Sequence, residues 1–134
     1  MELQGRLQKT GKVYISFMNI RVAHEKKGCA EKILPFLKDG ESIYNTLLVS
    51  KPGAGKTTCL RDCIRSLSNG KEGWEGMKIC VVDERSEIAA CHLGIPQNDM
   101  GIRTDVLSGC GKSEGMMLML RSMSPQIIAV DELG

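Results

Sequence analysis

The stretch from Tyr44 to Ser68 constrains this chain more than any other, because a β-type run, a glycine turn and a helical pattern follow one another without a break. The run is Tyr44-Asn45-Thr46-Leu47-Leu48-Val49-Ser50 and the turn Lys51-Pro52-Gly53-Ala54-Gly55-Lys56-Thr57-Thr58. The helical pattern opens with Cys59-Leu60-Arg61-Asp62-Cys63-Ile64. The turn has the P-loop spacing G-x-x-x-x-G-K-[ST], with Ser50 in the place of the first glycine. Gly53 and Gly55 lack Cβ atoms, so the backbone there can curl and aim successive N–H groups at a phosphate chain. Lys56 supplies positive charge to the β- and γ-phosphates, and the Thr57 hydroxyl is a Mg²⁺ ligand. The helix that follows points its positive N-terminal end at the same anion. A glycine turn in a lysine-rich loop would share part of this string. The flanks argue otherwise: Leu47 to Val49 is β-type, and Leu60, Cys63, Ile64 and Leu67 fall on one helix face. Ser50 through Thr58 is therefore the predicted nucleotide cradle.

Bulk properties narrow the class. With 134 residues the chain is long enough for one domain with a real core. A net charge of +2 gives no support for a nucleic-acid surface or a polybasic membrane anchor. No apolar run approaches the roughly 20 residues of a membrane span, and Met1 to Arg6 has no apolar signal core, so a soluble, cytoplasmic domain is expected. Eight methionines read as core filler. The six cysteines include no C-x-x-C pair, and their spacings match no common zinc module, so reduced thiols are the expected state.

In chain order, residues 1–12 are polar and read as a frayed start. Val13, Ile15 and Phe17 alternate, then Met18, Ile20 and Val22 alternate in the opposite parity, which predicts two short strands or one bulged strand. His24, at the end of this run, reads as a solvated or packed side chain. Gly28 to Leu37 has room for a short helix limited by Pro35, and Lys38 to Ser42 forms a turn into the P-loop strand. Ser68-Asn69-Gly70 is a helix stop. Met77 to Glu84 reads as a buried strand, Ser86 to Cys91 as one or two helical turns, His92 to Thr104 as a loop, and Asp105 to Leu107 as a short strand. Met116, Met119, Leu120 and Met123 fall at helical spacing on a segment that Ser113 can cap and Pro125 follows.

Gln126 to Val130 is an apolar β run ending in Asp131-Glu132, a Walker B pattern in which Asp131 holds Mg²⁺ and Glu132 polarises the attacking water. Asp83-Glu84 ends another strand and competes for both roles, so Asp83 joins Thr57 and Asp131 as a candidate metal ligand. Alternating βα elements around a P-loop predict an α/β fold, a RecA-like or AAA-type three-layer sandwich with a mostly parallel sheet, ending just after the Walker B strand. Residues 1–40 are expected to be the N-terminal strands and linker, and 41–134 the P-loop core.

Several longer strings carry a more specific signal. Gly101 to Leu107, Val82 to Cys91, Arg121 to Pro125 and Asn19 to Glu25 resemble the stage III sporulation protein AA family from about residue 18 to the end. That resemblance implies a P-loop ATPase of endospore-forming bacteria, similar to type II and type IV secretion ATPases, using ATP and Mg²⁺. It further implies a homo-hexameric ring on the cytoplasmic, mother-cell side of the channel to the forespore, with membrane-embedded channel proteins as partners. It places Asp83-Glu84 at an acidic box, which makes Glu84 a rival to Glu132 as the base, beside Lys56 in the catalytic set. Lys51, Ala54, Ser108 and Gly111 depart from the family pattern. In ATPases of this kind the strand between the P-loop and Walker B strands comes later in sequence than Glu132. Either the two motif strands pair directly here, or a gap separates them, and slow hydrolysis is expected. Arg85 and Arg103 are candidates to stabilise γ-phosphate charge. Two further readings stand beside the ATPase. One is a GTPase switch, because Asp131-x-x-Gly134 fits D-x-x-G; the other is a non-catalytic nucleotide-binding scaffold.

Overall fold

The computed structural model describes residues 2–7, 13–19 and 25–132. Gly11, Ile20, Val22 and His24 of the N-terminal reading, and Gly134 of the D-x-x-G pattern, lie outside the described residues.

At the N-terminus, β1 (Glu2–Leu7) pairs antiparallel with β2 (Val13–Asn19) in a sheet of their own. The expected frayed start is thus a strand: hairpin pairing satisfies the backbone of a segment whose side chains are mostly polar. Of the two alternatives for this run, a bulged strand is seen, but its bulge lies at Ser16, where Gln4 faces Phe17 and Gly5 faces Ile15, and not at the Phe17–Met18 change of parity. A turn region then leads to α1 (Leu34–Leu37), with Pro35 in its first turn, and to a two-residue hairpin of β3 (Lys38–Asp39) and β4 (Ser42–Ile43).

The centre is α2 (Lys56–Asn69), β5 (Ile79–Asp83), β6 (Thr104–Ser108), α3 (Lys112–Met123) and β7 (Ile127–Val130). The three strands form a parallel sheet in the order β6-β5-β7. A parallel sheet is covered on both faces, and strand periodicity sorts the residues between them. Ile79 and Val81, with Val106, Ile127 and Ala129, pack with Cys63, Ile64 and Leu67 of α2. Cys80 and Val82, with Leu107 and Val130, pack with Met116 and Met119 of α3. The result is an α/β unit of three layers with β5 buried along its whole length. Ala30, Leu34 and Leu37 join the α2 side of the core.

Three expectations are corrected. Leu47 to Val49 is not a strand: residues 44–50 carry no ladder, and Leu47 and Val49 are 66% and 81% exposed. The two motif segments do not pair directly; a cavity of about 220 Å³ lies between Tyr44, Thr46 and Leu48 on one side and Ile128 and Val130 on the other. An extended segment without a neighbour within hydrogen-bond reach has nothing to make it a strand. Ser86 to Cys91 is a run of turns and bends, not a helix, with Ser86 and Ala90 at φ of 55° and 51°. Finally, α3 is capped by Gly111 rather than Ser113, and its core face is Gly115, Met116 and Met119 while Leu120 and Met123 stay exposed.

Gly115 sets that face. An ideal Cβ at this position would stand 2.6 Å from Val82 Cγ1, so only glycine lets α3 lie this close to β5. Gly115→Ala should lower the unfolding free energy by about 1–3 kcal/mol, the usual cost of overpacking, despite alanine's better helix propensity; urea titration reads the change.

Asp62 ties the segment before α1 to α2. Its carboxylate accepts the Ala30 N–H at 2.8 Å and pairs with Arg65 at 2.6 Å. Burial pushes this carboxyl up, but the Ala30 N–H, Arg65 and the Gly28 N–H outweigh it and hold it below the ordinary carboxylate range. A group lowered on folding contributes stability above its unfolded pKa, near 4, and loses it as pH falls through the lower folded value. Wild type should therefore lose stability relative to Asp62→Asn on acidification below about pH 4, as read by thermal melts at stepped pH.

Candidate nucleotide-binding site

Parallel strands end together. Asp83 closes β5, Ser108 closes β6 and Asp131 follows β7, so the acidic pairs Asp83-Glu84 and Asp131-Glu132 share one end of the sheet. Helix α2 runs back against the strands. Near its C-terminal end, Leu67 O accepts the Met77 N–H at 2.9 Å and Ser68 Oγ the Arg103 N–H at 2.7 Å, both just before strands begin. Near its other end, Arg61 donates to Ile88 O at 2.5 Å and Glu87 O at 2.9 Å in the loop after β5. The N-terminus of α2, with Lys56 and Thr57, is therefore directed to the end where the acids lie.

The turn before α2 is exposed from Lys51 to Gly55. The Ala54 N–H donates to Lys51 O at 3.2 Å, and Gly53 and Gly55 sit at φ of 76° and 88°, where an L side chain is strained. Gly55 is the N-cap of α2 and gives no side-chain cap, so the first N–H groups of the helix have no side-chain partner there. Lys56 folds back over the turn and donates to Ser50 O at 3.3 Å, while the Ser50 hydroxyl donates to Lys51 O at 3.2 Å. Thr57 and Thr58 are half-buried beside it.

The two strand-end aspartates differ. Asp83 is fully buried, and its carboxylate accepts N–H groups from Glu87 at 2.9 Å, Ile88 at 3.1 Å and Ala89 at 2.8 Å. Its charge is committed to the loop that follows it. The side chain of Asp131 is only 6% exposed, yet its Oδ1 has no hydrogen-bond partner among the described residues. The nearest cation is Lys112 at the start of α3, with Nζ 3.8 Å from Asp131 Oδ1 and 3.7 Å from Glu84 Oε2. Glu132 faces Arg85 at 3.9 Å, with both side chains largely exposed. Ser86 and Ser108 share a short hydroxyl hydrogen bond across the same end.

Arg103 lies elsewhere. Its guanidinium donates to Ser68 O at 3.2 Å at the opposite end of the sheet, so of the two arginine candidates only Arg85 is with the acids. Sequence reasoning missed Lys112 and Arg61. For Lys112 a signal existed: a cation in the first turn of a helix opposes the helix dipole and calls for a compensating partner.

Mg²⁺ keeps several waters and takes one or two protein oxygens plus phosphate oxygens. A buried carboxylate oxygen without a hydrogen bond, together with a threonine hydroxyl at the start of α2, fits that demand. Among the described residues no three His, Cys, Asp or Glu side chains gather as an all-protein metal cage. All six cysteines are free thiols, and burial pushes Cys63 up to about 12.

Fold and site together define a three-layer α/β protein in which a glycine-rich turn leads into a helix whose N-terminus is directed to the sheet end that carries the acids. Within that class the particular family is shown by comparison: the sporulation stage III protein AA family matches residues 6–134, and the chain belongs to it. It is 52% identical over 120 residues to stage III sporulation protein AA of Bacillus subtilis (strain 168), covering 90% of this chain and 39% of that protein. The uncharacterized protein ycf45 of Cyanidium caldarium is 36% identical over 104 residues, covering 75% of this chain and 29% of its own length. The protein SEEDLING PLASTID DEVELOPMENT 1 of Arabidopsis thaliana is 27% identical over 125 residues, covering 92% and 17%. The chain thus spans well under half the length of these relatives. No solved structure matches. Among the described residues no helix is long and apolar enough to cross a membrane.

Replacing Asp83 by Ala would strand three backbone N–H groups and leave Arg61 beside an emptied loop. With charged hydrogen bonds worth about 1.5–3 kcal/mol each, the loss should be at least about 3 kcal/mol in chemical denaturation.

Proposed function

We propose that residues 41–134 form the nucleotide-binding core of a Mg²⁺-dependent ATPase, RecA-like in build, with residues 1–40 forming N-terminal strands and a linker. The observation that carries this reading is the unpartnered, buried Asp131 Oδ1 at the sheet end toward which the N-terminus of α2 is directed. Backbone N–H groups of Gly53 to Thr58 cradle the phosphate chain, and Lys56 exchanges Ser50 O for a phosphate oxygen. Thr57 and Asp131 would hold Mg²⁺, whose part is to neutralise phosphate charge. Asp83 acts beside them by holding the loop that presents Glu84, rather than as a ligand. Glu132 or Glu84 accepts the proton of the attacking water; both are open to solvent, as a base that must release protons requires.

For the whole protein, the family and its Bacillus subtilis relative support a role in stage III of sporulation. We place it there as a secretion-ATPase-like motor subunit, homo-hexameric, on the cytoplasmic mother-cell side and partnered with membrane-embedded channel proteins rather than nucleic acid.

Fluorescent-nucleotide titration should give ATP binding that weakens by tenfold or more in Lys56→Ala, about 1.4 kcal/mol, with ATP preferred over GTP. A clear GTP preference would move the assignment to a GTPase switch. Because the Leu47–Val49 segment is not clamped in the sheet, turnover by this chain should stay below about 1 s⁻¹. Single-turnover assays of Glu84→Gln and Glu132→Gln then separate the bases: loss of about 10²-fold or more marks the base. Unchanged rates in both would leave a nucleotide-binding scaffold.

A further inference from the structure

Lys112 stands where a helix has least use for a cation. It is the first residue of α3, behind a Gly111 cap that offers no side chain, so its charge faces the positive end of the helix dipole. Glu114 is the acid in its own first turn, and the sheet end adds Asp131 Oδ1 at 3.8 Å and Glu84 Oε2 at 3.7 Å. Its place there follows from the packing of α3: Lys112, Gly115, Met116 and Met119 share one helix face, and the close approach at Gly115 draws that face onto β5. The Lys112 side chain is mostly enclosed, 19% exposed, yet makes no hydrogen bond to Asp131, whose Oδ1 remains without one among the described residues. A buried carboxylate needs a positive neighbour. Here that neighbour is a flexible lysine held by charge alone.

We propose that Lys112 is an internal counter-cation that occupies the charge position of the divalent metal at Asp131, and that it withdraws when a divalent cation binds. This rests on the metal reading of Asp131 made above. The lysine keeps Asp131 and Glu84 neutralised and the site folded in the metal-free protein, so metal binding is an exchange of one cation for another. Metal affinity is then set by competition, and the site stays low in affinity until a nucleotide brings its own phosphate oxygens. Glu84, sharing the lysine with Asp131, is released by the same movement. Coupling of metal arrival to the freeing of a candidate base follows directly.

The test is Mn²⁺ titration of the nucleotide-free chain by electron paramagnetic resonance, in wild type, Lys112→Met, Lys112→Arg, and Lys112→Met with Asp131→Asn. Lys112→Met should bind Mn²⁺ about tenfold or more tightly than wild type, a lower bound for removing a like charge roughly 4 Å from the metal position near a protein surface. Lys112→Arg should behave as wild type, and the added Asp131→Asn change should erase the gain. The melting temperature of Lys112→Met should fall in EDTA and recover with Mn²⁺. A folded Lys112→Met with wild-type Mn²⁺ affinity, or a gain that survives Asp131→Asn, overturns the proposal. Should Lys112→Met fail to fold in EDTA, the titration is made on Lys112→Gln, for which the same two results decide. Fluorescent ATP binding to the wild type is read in parallel. Its absence would remove the ATPase reading while the Mn²⁺ titration still decides the role of Lys112.

Discussion

A fully buried carboxylate at the end of the central strand organises the top of this molecule. Asp83 cannot be hydrated, so it draws three consecutive N–H groups of residues 87–89 onto itself. That closes the chain into a tight loop with Ser86 in a left-handed conformation, and Ile88 and Ala89 turned into the core. Arg61, buried on α2, donates to the carbonyls of the same loop from the other side. The loop is thus gripped by an anion on its N–H side and a cation on its carbonyl side. Through it, β5 and the N-terminal half of α2 are joined at the end of the sheet that carries the acids. Glu84 is left pointing out, at the front of a rigid loop.

Around that fixed point the remaining charges balance loosely. Lys112 serves two acids at contact distances beyond hydrogen bonding, and Arg85 reaches Glu132 at a similar range. Ion pairs of this kind are weak and exchangeable where exposed, while the buried Asp131 still demands a positive partner. A site with one rigid, fully satisfied carboxylate and one buried, incompletely satisfied carboxylate has a natural division of labour. In the proposed reading, the first holds the scaffold and the second takes the ligand.

Much of this was readable along the chain. Strands β5, β6 and β7 and helix α2 follow from apolar periodicity and glycine stops, because each is long enough or buried enough for its pattern to stand out. The Leu47–Val49 segment has the same apolar signature but no partner within hydrogen-bond reach, and a β ladder is a property of two strands, not one. The core face of α3 was misread for a different reason. Met116, Met117, Leu118, Met119 and Leu120 are apolar all round the helix, so period alone does not choose a face. Gly115 chooses it, because the side with least bulk is the one that can approach β5.

Local order along the chain was enough to place the glycine turn before a helix, the acids after strands, and the phosphate-binding residue types in between. These depend on backbone conformations and periodicities that span a few residues. Which acid is consumed and which is left open was not written in that order: Asp83 and Asp131 end their strands alike, each followed by glutamate. Folding separates them, because residues 87–89 and Arg61 close on the first while, among the described residues, the long side chain of Lys112 is the cation that reaches the second. Electrostatic satisfaction of a buried group is decided by what distant segments bring to it, and that is settled only when the layers come together.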